Sequence, residues 1–194
     1  MEFKDASLGT GIKRIKQDLP LPVEIPENIK IHEVGMNKFK RLDIPASDYK
    51  IYYLGTVARS GCDSVLVWKI DPEGKDEMLL THYPPSPAKK LDEHLKILNQ
   101  FSPRGEGTIK AVYLTFGTEK SVWTHKIEKA IMEITGSSPD VVRISNITAD
   151  TIQKEMKYND LNYQLIAIRG VNGKPNARKI EVPVPKGNVY LKEF

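Results

Sequence analysis

The sequence predicts an α/β chain, a mixed β-sheet or sandwich with helices packed outside. Three observations carry this. Short runs rich in β-branched and aromatic residues recur between turn signals, at Ile29–Val34, Tyr49–Val57 and Ser64–Tyr83. Two longer stretches instead show helical spacing, one opening near Ser86-Pro87 and one near Glu119. Further strand-like runs, Ile109–Phe116, Val141–Ser145, Tyr163–Arg169 and Ile180–Val184, alternate with and follow them. Strands outnumber helices and the helices fall between strands, the pattern of layered α/β or α+β domains.

The elements follow in chain order. Residues 1–28 are polar, with Pro20, Pro22 and Pro26 near their end, and read as an extended N-terminal arm before a single domain over 29–194. The first helix takes Ser86 as cap and Pro87 at its first position, with Leu91, Leu95, Leu98 and Phe101 on its apolar stripe. A glycine-rich loop around Gly105 and Gly107 leads into the next strand. The second helix, about Glu119 to Thr135, carries Trp123, Ile127, Ile131 and Ile134 on one face and Gly136 as its stop. A short helix fits near Ala149–Met156.

The 194 residues are 40% hydrophobic and 28% charged, ordinary values for a soluble globular chain long enough to bury a real core. No stretch approaches the ~18 apolar residues of a membrane span. Met1-Glu2-Phe3-Lys4-Asp5 lacks the charged-then-apolar layout of a secretory signal. The net charge of +4 is a mild excess, densest at Lys13-Arg14-Lys16 and Lys38-Lys40-Arg41. These groups read first as solvated surface and second as contacts to an acidic partner. No basic motif interleaved with aromatics appears, which disfavours nucleic acid.

The single cysteine, Cys62, excludes an internal disulfide and suits a reducing compartment. It precedes the apolar run Val65-Leu66-Val67-Trp68. Asp71-Pro72-Glu73-Gly74 then suits a type I turn closed by a left-handed glycine, the usual three-residue hairpin connection with a bulge. In that register Asp71 faces Lys75, Ser64 faces His82, and Cys62 faces Pro84. Cys62 and His82 then project from one face as a diagonal pair, roughly 7–8 Å apart at the backbone. A two-residue loop would put them on opposite faces. A thiol beside an imidazole is a nucleophile with its base. Backbone N–H groups at Gly61 and Cys62 are placed to hold an oxyanion.

The other histidines lack such a partner. His94 reads as lying on the polar side of the first helix and His125 as mid-helix, both with surface or rim roles. His32 sits in an early strand. No set of residues has zinc-ligand spacing, so neither a metal nor a cofactor is expected.

The run from Thr56 to His82 resembles the active-site segment of the cysteine glutamine deamidases. This superfamily includes the chemotaxis receptor deamidase, the catalytic domain of cytotoxic necrotizing factor and Burkholderia lethal factor. There a Leu-x-Gly-Cys or Gly-Ser-Cys element supplies the nucleophile, a histidine on the next strand is the base, and in several members a threonine six residues before the cysteine helps place the imidazole. The matching positions are Cys62, His82 and Thr56, and Asp71-Pro72 falls where the chemotaxis enzymes often carry Asp-Pro. Arg59 stands where the toxin motif has leucine. The resemblance covers about thirty residues. It implies a deamidase-like α/β fold and a protein-glutamine deamidase, a bacterial toxin or effector whose partner is a protein bearing a reactive glutamine. The toxin branch implies secretion or delivery into a host cytosol, and the chemotaxis branch a bacterial cytoplasm. A cysteine peptidase or transglutaminase-like acyltransferase shares the nucleophile and base. A non-catalytic binding domain with a core cysteine is the reading from another class.

Overall fold

The computed structural model describes residues 28–59, 62–84, 88–101, 106–115, 121–143, 162–171, 174, 176–183 and 189–193. The expected arm (beyond Asn28), the Ser86-Pro87 cap, Gly105 and the short helix near Ala149–Met156 fall outside the described residues, as does Gly61.

The described strands form two five-stranded sheets. In the first, the order is β1 (Ile29–Glu33), β3 (Ile51–Arg59), β8 (Asn162–Arg169), β9 (Arg178–Pro183) and β10 (Val189–Glu193). In the second it is β2 (Lys38–Ile44), β5 (Asp76–Tyr83), β4 (Asp63–Ile70), β6 (Thr108–Thr115) and β7 (Asp140–Arg143). Each sheet is mixed: β1 runs parallel to β3 and β6 parallel to β7, while the remaining neighbours are antiparallel. Helix α1 (Ala88–Gln100) and helix α2 (Val122–Thr135) lie against the second sheet. No helix among the described residues is long and apolar enough to cross a membrane.

Side-chain alternation builds these layers. From the first sheet, Leu54, Leu165, Ala167, Ile180 and Val182 point inward and meet Leu66, Trp68, Met78, Leu80, Val112 and Leu114 of the second. The other face of the second sheet presents Val65, Val67, Leu79, Ala111 and Tyr113 to Leu91 and Leu98 of α1 and to Trp123, Ile127, Ala130 and Ile131 of α2. The second sheet is therefore covered on both faces, which is why β4 and β5 carry the consecutive apolar residues Val65–Trp68 and Met78–Leu80. Each fully buried leucine or valine contributes about 1.5–3 kcal/mol relative to exposure. The α/β sandwich with helices outside is the architecture the sequence predicts.

Two strands escaped the sequence reading, β2 and β10. β2 looked like solvated charge, and Lys38 to Arg41 are indeed exposed. Its second half buries Ile44, with Leu42 packed against the same inter-sheet core. Helix α2 ends as expected: Gly136 adopts φ 68 and its N–H donates to Met132 O at 2.8 Å.

Candidate active site

The β4–β5 hairpin has the register that its turn chemistry dictates. Asp71 N–H donates to Lys75 O (3.1 Å) and Gly74 N–H to Asp71 O (2.9 Å), while Gly74 takes φ 84. Only a residue tolerant of the left-handed region closes such a bulged turn cheaply. Ser64 accordingly pairs with His82, and Asp63 with Tyr83. Cys62 lies one residue before β4, in line with Pro84, and its side chain belongs to the inter-sheet cluster at 7% exposure. His82, 4% exposed, projects into the same space, because its ring reaches Thr56 of the opposing sheet.

That contact fixes the imidazole. Thr56 Oγ1 lies 2.6 Å from Val34 O and 2.8 Å from His82 Nδ1, and Nδ1 is also 3.4 Å from Val34 O. A threonine hydroxyl has one proton to give, and a carbonyl can only accept. With that proton on Val34 O, the His82–Thr56 bond needs the hydrogen on Nδ1. The network thus assigns the Nδ1–H tautomer and leaves Nε2 with its lone pair, and Nε2 is buried without a hydrogen-bond partner. Burial lowers the His82 pKa, offset in part by the hydrogen bond to Val34, so the ring is held neutral. A neutral, oriented imidazole with a bare nitrogen can accept a proton.

Two chain features set this geometry. Val34 N–H donates to Gly55 O at 2.8 Å, which brings the end of β1 alongside Thr56. The following turn, with Asn37 at φ 60, returns the chain so that Asn37 N–H donates to His82 O at 2.8 Å. The Val34 carbonyl is the group that sequence reading missed, since a backbone acceptor leaves no mark on residue identity.

His94 corrects the sequence reading. It is not on a polar face but fully buried, and the reason is spacing: Leu91, His94 and Leu98 form one i, i+3, i+7 stripe. Its Nε2 lies 2.6 Å from Thr81 Oγ1 and its ring stacks on Tyr83, centroids 4.9 Å apart. His94 therefore braces β5 from the helix side, one residue from His82. His125 is exposed, as expected, and His32 stacks on Tyr52 with centroids 6.1 Å apart. Asp63, beside Cys62, turns to the helix side and is 2% exposed. Burial pushes its carboxyl up to about 6, against the opposing influence of Thr115, Tyr113 and Trp123. Among the described residues no group of three or more His, Cys, Asp and Glu side chains could hold a metal ion.

Burial, with a smaller contribution from His82, lowers the His94 pKa to about 3. The unfolded chain binds a proton at this residue near its ordinary 6.5 while the folded chain does not, so stability is lost as pH falls from 6.5 toward 3. At pH 5 the loss is about 2 kcal/mol. His82, also lowered, acts in the same direction. Asp63 acts oppositely: its contribution is full below 3.8 and disappears as pH rises through about 6. In urea unfolding at pH 7 and pH 5, His94→Gln is expected to shrink the acid-side drop in stability; an unchanged drop would assign it to other groups.

No family model matches the chain, and no curated protein matches it. Among solved structures it is similar to the C-terminal domain of CNFy from Yersinia pseudotuberculosis, with a TM-score of 0.51 at 10% identity. The alignment covers 88% of this chain and 64% of that one, so this chain spans less than two thirds of its neighbour's length. The likeness is one of fold.

Proposed function

We propose that the chain is a cysteine-dependent glutamine deamidase that acts on another protein. The observation that carries this reading is the Val34–Thr56–His82 network. It leaves a bare, buried Nε2 on the face and at the hairpin end where the one thiol of the chain lies. Similarity of fold to a domain of a toxin in the cytotoxic necrotizing factor group supports the same reading.

In this mechanism His82 Nε2 takes the proton from Cys62, and Sγ attacks the carboxamide carbon of a substrate glutamine. The oxyanion is held by the Cys62 N–H and by that of Gly61. The imidazolium protonates the leaving nitrogen, and ammonia departs as the tetrahedral intermediate collapses to a thioester. Water, deprotonated by His82, cleaves the thioester to give glutamate and restore the thiol. Thr56 keeps Nδ1–H engaged throughout, so Nε2 alone cycles the proton. The toxin-like branch, with action in a host cytosol where the thiol stays reduced, fits this chemistry; a bacterial cytoplasm is the alternative.

The test is ammonia release and intact mass on a panel of host cytosolic proteins, with native chain and Cys62→Ser in parallel. A mass gain matching amide-to-acid conversion, absent with the variant, is expected. Peptide cleavage or amine incorporation instead would indicate the peptidase or acyltransferase chemistry. Equal outcomes for both proteins, with a thiol inert to small alkylating reagents, would indicate a binding domain.

A further inference from the structure

We propose that the outer edge of β2, with Lys38 and Lys40, docks an extended acidic segment of the substrate protein beside its reactive glutamine. The proposal rests on the deamidase reading and adds the means of substrate selection. β2 is the terminal strand of its sheet: β5 pairs with one side, and no described strand pairs with the other. Lys38, Phe39, Lys40 and Arg41 are all exposed, so no described residue covers this stretch of edge. An open edge offers alternate N–H and C=O groups to an incoming extended chain, the basis of recognition by strand addition.

Register ties this edge to the chemistry. Lys38 pairs directly with His82, so a chain added to β2 runs past the candidate base. Alternation puts Lys38 and Lys40 on the face of β2 that His82 occupies on β5. Neither lysine has an ion-pair partner among the described residues, whereas Arg41 faces Asp43 and Glu77 and lies over the Phe101 ring. Lys30 on the neighbouring edge strand β1 adds to the field: burial first, and then the charges of Lys40 and Lys30, lower the His32 pKa. Glu33 and Asp43 are the acidic side chains on these two strands, so the balance along the edge is positive. Met36 and Phe39, 57% and 48% exposed, supply apolar contact beside the charges. An extended segment that alternates acidic with apolar residues matches this surface in charge and in period.

The test uses Cys62→Ser, so that binding is read without turnover. The probe is a synthetic peptide alternating glutamate and valine around one glutamine, with a lysine-for-glutamate version as its counterpart. Amide NMR shifts at residues 38–42 are expected with the acidic peptide, weakening as salt is raised. Adding Lys38→Glu and Lys40→Glu is expected to weaken binding about tenfold or more. Lys129→Glu, an exposed change on α2, is expected to leave it unaltered. Shifts confined to other surfaces, equal binding of the two peptides, or tighter binding of duplex DNA to the same amides would overturn the proposal. If the deamidase reading alone fails, the peptide still binds this edge while native chain releases no ammonia from any protein.

Discussion

Cys62→Ser and His82→Ala are each expected to lower glutamine hydrolysis about a thousandfold or more, and the double variant to be no slower than the worse single one. The proposal gives thiol and imidazole one joint task, moving a proton as the S–C bond forms, and groups that act as a unit do not lose their effects additively. Additive losses would show that the two act separately and would contradict the mechanism. In the proposed mechanism Thr56 acts through His82. Thr56→Val removes the acceptor of Nδ1–H, freeing the ring to turn or change tautomer, and a loss of about 10–100-fold is expected by analogy with groups that orient imidazole ligands. Thr56→Ser keeps the hydroxyl and is expected to restore most of the rate, which a purely steric role would not explain. As the proposed base, His82 must be neutral to act, and burial lowers its pKa. The acid limb of kcat/KM is therefore expected below the ordinary histidine value of 6.5, so that activity rises with pH and reaches its plateau before neutrality. Thermal unfolding near pH 7 is expected to change little for the near-isosteric Cys62→Ser and Thr56→Ser, whereas His82→Ala leaves a cavity between the sheets and is expected to lower stability, so its rate is read per folded molecule.

The parts of this site that were legible in the sequence are those written in local chemistry. Asp71, Pro72 and Gly74 specify a turn, the turn specifies the register, and the register places Ser64 opposite His82 whatever the rest of the chain does. Leu91, Leu95 and Leu98 likewise mark a helix without further help. What stayed hidden depends on the other sheet or on the backbone. His94 reads as polar by residue type, and only its i, i+3, i+7 relation to Leu91 and Leu98 reveals the buried stripe. β2 hides because an edge strand carries charge on purpose, which erases the alternation that marks a half-buried strand. Val34 contributes a carbonyl, and any residue there has one. The approach of Thr56 to His82 joins β3 and β5 across the sandwich. Resemblance to a family anticipated that contact, while local pattern alone could not.

Asp76→Ala is expected to destabilise the fold by about 3–5 kcal/mol, the largest single loss of stability anticipated among these residues. The carboxylate is fully buried between the sheets. It accepts from Trp68 Nε1 at 2.9 Å, from Arg178 Nε at 2.7 Å and Nη2 at 3.2 Å, and from Arg169 Nε at 3.1 Å. Arg169 in turn donates through Nη1 to the carbonyls of Asp48 and Lys50, and Arg178 to that of Asn176. One anion thus holds two guanidiniums of the first sheet against the hairpin of the second, and its removal leaves both cations buried without their counter-charge. Asp76→Ala combined with Arg178→Met is expected to cost less than the sum of the two changes, since the second substitution withdraws one stranded charge. A strictly additive result in urea unfolding would mean that the cluster is no energetic unit. Strand β5 places Asp76 and His82 on one inward face with Met78 and Leu80 between them, about 20 Å apart at 3.3 Å per residue. Turnover per folded molecule, measured well below the unfolding temperature, is therefore expected to survive Asp76→Ala, while it fails in Cys62→Ser at undiminished stability. A loss of turnover matching the loss of stability would instead mean that the far end of the sandwich sets the geometry of the imidazole.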